Sequence, residues 1–111
     1  MDLAVVSHRW VMTWTPDGWP AGLITGYPIE RMFVVEHVVV FPGASRGALV
    51  EMLTAGLEEA WRRDFQEVVF WVPRTFRLAA ALIRVAGGLG FQEYAQPAEC
   101  ERWFVCHRRA A

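Results

Sequence analysis

The sequence contains no lysine and no asparagine, and all 11 of its cationic residues are arginine. The absence of lysine excludes Schiff-base catalysis and the lysine-dependent phosphate loop of nucleotide-binding proteins. Cysteine is scarce as well, because Cys100 and Cys106 alone are too few for a disulfide scaffold. One bridge between them stays open as an alternative to two thiols. Together with His107 they lack the spacing of a zinc site, so we predict no metal.

Strong charge of one sign and long apolar runs are also lacking. The formal net charge is -1, which provides no field to attract nucleic acid or anionic lipid. The longest apolar run, residues 32–42, is interrupted by Glu36 and His37 and is too short to cross a bilayer. The amino terminus does not have the pattern of a signal peptide. We therefore expect a soluble, reduced, cytoplasmic protein with neither nucleic acid nor membrane as a partner.

The composition is that of a chain with a hydrophobic core. Hydrophobic residues make up 54% of it and charged residues 21%, and 111 residues predict a single domain over residues 1–111. Residues 3–14 predict one strand, and Pro16-Asp17-Gly18 predicts the turn of a hairpin. Its returning strand is expected over residues 21–27, followed by a turn over residues 27–30.

The second part of the sequence predicts a central strand and two helices. Residues 32–41 are almost all β-branched or aromatic, which is typical of a strand buried on both faces. A helix is expected to begin at Ser45 as N-cap and to end at the Arg62-Arg63 pair. Its apolar stripe consists of Leu49, Leu53, Leu57, Ala60 and Trp61.

The remaining elements are two strands on either side of a second helix, and then a last strand. A buried strand is predicted over residues 66–73 and a helix over residues 75–86, ended by Gly87-Gly88. Strands are expected to begin at Gly90 and to cover residues 102–107. Because a strand, a helix and a strand in sequence form a parallel crossover, we predict an α/β (α+β three-layer) fold on one mixed sheet.

This element order and three short motifs resemble the second half of the GNAT acetyltransferase superfamily. The motifs are a strand that ends in proline at residues 38–42, Arg46-Gly47 at the start of the next helix, and Gly90-Phe91 after the second helix. The resemblance covers residues 32–94, and it implies a GNAT-like mixed sheet with a central β-α-β-α-β core. The residues before it leave no space for the family's amino-terminal helices, so the amino-terminal part is reduced.

The resemblance implies an acetyl-CoA-dependent transfer of acetyl to an amine acceptor, which is a small molecule or a protein. The first amides of the helix would hold the pyrophosphate, since a helix amino terminus binds anions without lysine. Glu36 stands where the family often has its general base, His37 is a weaker candidate for a proton relay, and Tyr94 is the nearest phenol to protonate the thiolate. The residues implied for cofactor binding are Val40, Phe41, Pro42, Ser45, Arg46, Gly47 and Ala48.

Three departures from the family pattern keep other interpretations open. Leu49 and Glu51 stand where the family has glycine or alanine, and Ala86 stands where it often has the tyrosine acid. A carboxylate at residue 51 would repel a pyrophosphate. The alternatives are a non-catalytic GNAT-fold protein with a structural or assembly role, similar to short phage-encoded GNAT-like proteins, and an unrelated α+β domain.

Six tryptophans are many for a chain of this length. Trp61 and Trp71 fit the helix stripe and the buried strand, so we predict that they pack in the core. Trp10, Trp14 and Trp19 lie on the predicted hairpin, where an exposed apolar cluster would serve as the surface for a partner or a homo-oligomer.

Overall fold

The protein is described from a computed structural model, which defines residues 1–44, 47–73, 79–93 and 101–108. A seven-stranded mixed sheet and two helices confirm the predicted α+β fold. The order of strands in the sheet is β1-β2-β3-β4-β5-β7-β6, and the β4–β5 pair is parallel, whereas the other pairs are antiparallel. In chain order the elements are β1 (Asp2–Val6), β2 (Arg9–Trp14), β3 (Gly22–Ile29), β4 (Met32–Val40), α1 (Ala48–Arg62), β5 (Glu67–Pro73), α2 (Ala79–Gly88), β6 (Gln92–Glu93) and β7 (Glu101–His107).

The prediction of one strand over residues 3–14 is wrong, because this segment is a hairpin of β1 and β2. Ser7 and His8 form its two-residue turn with φ angles of 48° and 66°. Positive φ at both central residues is the geometry that suits the twist of a tight hairpin. Neither residue is glycine or asparagine, so the sequence carries no turn signal at this point.

The β3–β4 connection is also shifted from its predicted place. The turn consists of Glu30 and Arg31, with a φ of 53° at Glu30, and Pro28 lies inside β3 rather than in a turn. Proline is tolerated there because β2 does not reach this part of β3: the β2–β3 pairing extends no further than Trp10 opposite Gly26.

Helix α1 begins at Ala48 with Gly47 as its N-cap, and the predicted cap Ser45 lies outside the described residues. The predicted apolar stripe is displaced, because Ala48, Met52, Gly56, Glu59 and Ala60 form the buried face. Leu49, Leu53, Leu57 and Trp61 flank this face as partly buried residues. Small residues let the helix approach the sheet closely: a Cβ on Gly56 would lie 2.7 Å from Cδ1 of Ile24.

Both helices end in the same left-handed cap. After α1, Asp64 has a φ of 67° and the Phe65 N–H donates to the Ala60 carbonyl at 3.1 Å. After α2, Gly90 has a φ of 96° and the Phe91 N–H donates to the Ala86 carbonyl at 3.0 Å. The Gly87-Gly88 pair is helical, so the predicted stop is wrong and the left-handed residue is Gly90.

Both described helices pack against one face of the sheet, where Leu82 and Ala86 of α2 share a core cluster with Met52 of α1. Right-handed crossovers that advance in the same direction across a sheet leave their helices on the same side. Neither α1 nor α2 is long and apolar enough to cross a lipid bilayer.

The predicted exposed cluster of three tryptophans is wrong. Trp14 is buried, and Trp10 packs on the core, with its ring centroid 5.9 Å from that of Phe33 and 5.4 Å from that of Phe65. Trp19, by contrast, is 79% exposed. The strand register places Trp10 and Trp14 on the helix-covered face, which hydropathy alone does not reveal. Trp61 packs on the core as predicted, partly buried.

Candidate active site

Strands β4 and β5 separate halfway along their length. Their parallel pairing runs from Met32 opposite Glu67 to Val35 opposite Phe70 and stops there. Beyond this point a cleft of about 330 Å³ opens between the two strands. Its lining residues come from both strands and from α2: Val35, Glu36, His37, Val38, Val39, Phe70, Trp71 and Leu82.

A β-bulge in β4 lies where the separation begins. Val35 pairs with Gly26 and His37 with Thr25, so Glu36 is the extra residue on β4. We expected adjacent strand residues to point to opposite faces, with only one of Glu36 and His37 at any cleft. The bulge overturns this expectation, because Val35 before it and Val38 after it both pack on the core, so Glu36 and His37 lie together on the other face of the sheet.

Glycine is required opposite the bulge. A Cβ on Gly26 would overlap the Val34 carbonyl oxygen and would lie 2.8 Å from Cζ of Phe33. The backbone of β3 can therefore follow the bulged strand closely only without a side chain at residue 26. The placement of Glu36 thus depends on this glycine on the neighbouring strand.

Glu36 and His37 have different partners. The Glu36 carboxylate forms an ion pair with the guanidinium of Arg9 on β2, and its side chain is 22% exposed. His37 Nδ1 lies 3.0 Å from Oγ1 of Thr25, which fixes the orientation of an otherwise exposed ring. Glu36 is therefore a charged group held at the border of the cleft, whereas His37 is held towards β3.

The backbone of β4 beyond the bulge presents hydrogen-bonding groups to the cleft. The Phe41 N–H donates to the Ala21 carbonyl at 3.0 Å, so residue 41 faces the β3 side of the sheet. Because successive strand residues alternate in direction, Val40 and Val38 direct their N–H and C=O groups towards the cleft. The Phe41 amide is used within the fold, so of the backbone groups around Phe41 it is Val40 that can face a ligand in the cleft. Val38 therefore faces the cleft as Val40 does, although the sequence analysis did not include Val38 among the residues for cofactor binding.

The chain turns from β4 into α1 through Pro42. The Ala44 N–H donates to the Phe41 carbonyl at 3.2 Å, and Gly43 has the positive φ of 87° that this turn needs. Gly47 caps α1 without a side-chain hydrogen bond to the first turn. Among the described residues no side chain caps the first amides of the helix, which begin with that of Ala48.

One carboxylate lies close to these amides. Oε1 of Glu51 is 3.7 Å from the position that a Cβ on Gly47 would have. Glu51 also lines a second surface groove together with the turn from Phe41 to Ala44. Its negative charge stabilises the amino terminus of the helix and competes with any other anion there. Ser45 and Arg46, which complete the predicted pyrophosphate loop, lie outside the described residues, as does Tyr94.

A further groove of about 510 Å³ also has Glu36 in its lining. The Arg9 guanidinium carbon lies 5.4 Å from the ring centroid of Tyr27, which is the distance of a cation–π contact. Glu36 contributes to both the groove and the cleft. The groove is lined by Val5, His8, Arg9, Trp10, Tyr27, Pro28 and Glu36. Sequence reasoning missed Arg9 and Tyr27, because only the register of two successive hairpins places them beside Glu36.

No protein-family model and no curated protein matches the sequence. Solved structures do match the fold. A Bacillus subtilis acetyltransferase in complex with CoA superposes with a TM-score of 0.71 at 11% identity, over 94% of this chain and 80% of that chain. A GNAT family acetyltransferase from Elizabethkingia anophelis with acetyl-CoA bound gives a TM-score of 0.72 at 10% identity, over 92% and 78%.

A third neighbour is the PaiA N-acetyltransferase of Thermoplasma acidophilum in complex with coenzyme A. It gives a TM-score of 0.71 at 11% identity, over 91% of this chain and 62% of that chain. At such low identities the likeness establishes the fold. The predicted GNAT-like architecture is therefore confirmed.

Proposed function

We propose that this protein is an acetyl-CoA-dependent N-acetyltransferase that acts by direct transfer to an amine. One observation carries the proposal: Glu36 borders both the cleft between β4 and β5 and the groove of Arg9. A carboxylate at this border can take a proton from an amine in the groove while the acetyl donor occupies the cleft. The three neighbours described above were solved with CoA or acetyl-CoA, which supports the choice of donor.

The cleft fits the donor in two respects. The outward groups of Val38 and Val40 can pair with the amides of a pantetheine arm as an added strand would. The amides of Gly47 and Ala48, with the guanidinium of Arg46, would hold the pyrophosphate. When bound, acetyl-CoA supplies an activated acetyl group, whose transfer to the amine forms an amide and releases the thiol.

Glu36 is proposed as the general base. An amine is protonated at neutral pH and must lose a proton to become a nucleophile, and a carboxylate placed beside it accepts that proton. The mostly buried side chain of Glu36 is held by the bulge, so it needs little reordering when an acceptor binds. His37 and Tyr94 remain proposed auxiliary groups, as proton relay and as acid for the leaving thiolate.

A non-catalytic role of the same fold, such as assembly in a phage-like protein, is the second candidate. The Glu51 carboxylate at the amino terminus of α1 favours it, because it opposes a bound pyrophosphate. Binding of acetyl-CoA separates the two candidates, because the transferase requires it and the non-catalytic role does not.

The first experiment is a thermal melt of the protein with and without acetyl-CoA. A ligand at about 100 times its Kd stabilises the native state by about 2.7 kcal/mol, so we expect the Tm to rise by on the order of 10 °C. An unchanged Tm at millimolar acetyl-CoA would contradict the transferase and favour the non-catalytic role.

The second experiment is the substitution Glu36→Gln. We expect it to keep the acetyl-CoA shift in Tm and to lower kcat/KM by about 100-fold or more, because general bases contribute at least that much. Glu58→Gln, at an exposed position on α1, is the matched control and should keep both properties. Equal turnover in Glu36→Gln and wild type would remove Glu36 from the mechanism.

A further inference from the structure

We propose that the groove beside Glu36 selects acceptors that carry a carboxylate next to their amine, with Arg9 as the residue that binds the carboxylate. The inference rests on the proposed transferase function and names the class of its acceptor, an amino-acid-like zwitterion. The first observation is that two opposite charges pair with each other in one groove. Arg9 and Glu36 contact each other there, one on β2 and the other on the bulge of β4.

The order of charges in the groove matches that of a zwitterion. An ammonium group placed against the Glu36 carboxylate leaves the acceptor's own carboxylate beside the Arg9 guanidinium. Arginine binds a carboxylate through two parallel N–H donors, which fixes orientation as well as charge. The proton-accepting group and the orienting group are thus adjacent, as the short spacing between the amine and the acid of an amino acid requires.

The ion pair between Arg9 and Glu36 does not block such an acceptor. The Arg9 side chain is 55% exposed, so water screens the pair and its exchange for substrate groups costs little. Each charge finds a new partner when a zwitterion enters, and neither is left unpaired in the groove. An amine without a carboxylate would instead leave Arg9 in competition with it for Glu36.

The remaining walls suit a small organic molecule. Tyr27, Trp10 and Pro28 provide apolar surface around the two charges, and a groove of about 510 Å³ accommodates an amino acid side chain. The Tyr27 ring supports the guanidinium from one side at 5.4 Å, which limits the directions that Arg9 can take. Arg9 is thus held in place as a specificity determinant.

The test is an acetyl-transfer assay on matched pairs of acceptors. The panel contains the α-amino acids with uncharged side chains and their α-carboxamides, which keep the amine and the side chain but lack the carboxylate. We expect at least one free acid to be acetylated with a kcat/KM about tenfold or more above that of its amide. Arg9→Gln should lower the value for the acid about tenfold, chiefly through KM, and should not lower the value for the amide, because it removes the guanidinium that competes with the amine for Glu36.

Two further variants serve as controls. Arg9→Lys keeps the charge without the planar pair of donors and should recover part of the loss. Arg31→Gln, in the exposed β3–β4 turn, should leave both acceptors unchanged. Equal use of acids and amides, or an equal effect of Arg9→Gln on both, would overturn the inference.

The acetyl-CoA melt separates failure of this inference from failure of the proposed function. A Tm shift without acetylation of any amino acid contradicts the carboxylate acceptor and leaves the donor site in place. The absence of both the shift and the transfer contradicts the transferase itself.

Discussion

Glu51 and Glu36 affect the proposed site in opposite ways. Glu36 lines both the cleft and the groove, where its negative charge is proposed to attract and deprotonate an amine. Glu51 stands near the amino terminus of α1, where a negative charge competes with a phosphate. Under the proposed function, the Glu51 carboxylate should therefore weaken the binding of a CoA thioester while it stabilises the amino terminus of α1.

The substitution Glu51→Gln tests that limit. We expect coenzyme A to bind about two- to fivefold more tightly, since charges at a helix terminus contribute about 0.3–1 kcal/mol. The gain should shrink as salt is raised, because the carboxylate is exposed and therefore screened. Isothermal titration at low and high salt measures both effects.

Glu58→Gln makes the same change in charge on the same helix, away from its amino terminus. It should leave the Kd for coenzyme A unchanged at either salt concentration. Equal affinities of Glu51→Gln and wild type would show that residue 51 does not face the bound anion.

At the residue scale, the sequence indicates Glu36 because a carboxylate interrupts an almost wholly apolar strand. Arg9 is not predictable in the same way. Its contact with Glu36 requires the β1–β2 turn at Ser7 and His8, the register of β2 on β3, and the bulge on β4. Each is a tertiary feature, and none is marked by a local motif.

At the scale of elements, the left-handed cap at the end of α1 requires a strained backbone conformation, because its residue with positive φ is not glycine. Asp64 takes a φ of 67°, and the Phe65 N–H closes the cap on Ala60. Asp64 also faces Arg108 across 3.8 Å, but its side chain is 93% exposed and this ion pair contributes little. The backbone conformation, rather than the charge, therefore decides which residue is best at this position.

We expect Asp64→Gly to be more stable than Asp64→Ala by about 1 kcal/mol, because alanine bears the steric cost of the left-handed region and glycine does not. Both variants remove the same carboxylate, so the comparison isolates the backbone effect. Urea unfolding of the two proteins gives the difference in the free energy of unfolding. Equal stabilities would show that the cap has another conformation in solution.

The elements also show where hydrophobic patterns mislead. The pattern of large apolar residues on α1 predicts a face centred on Leu53 and Leu57, whereas the structure buries Met52 and Gly56. A helix that lies close to a sheet places its small residues at the contact and its leucines on either side. Hydrophobicity is a property of the helix residue alone. How closely the helix approaches the sheet depends also on the opposing strand residue, which is Ile24 here.

At the scale of the whole molecule, the sequence predicts the mixed sheet and the parallel β4–β5 unit, because apolar runs and helical periods alternate along the chain. The candidate site, however, depends on the separation of β4 and β5 after four paired residues. The apolar sequences of the two strands do not predict this separation. The β-branched run continues through Val38, Val39 and Val40 past the last pair. The predicted burial on both faces therefore holds only for its first half, where Phe33, Val34 and Val35 are buried.

The separation of β4 and β5 is the feature on which both the proposed donor cleft and the proposed proton acceptor depend. Its most direct test is the titration of ¹⁵N-labelled protein with coenzyme A, followed by the amide resonances and hydrogen exchange of Val38 and Val40. We predict that these amides shift and exchange more slowly when coenzyme A binds, whereas those of β1 do not change. Binding that leaves Val38 and Val40 unaffected, or no binding at millimolar coenzyme A, would contradict it.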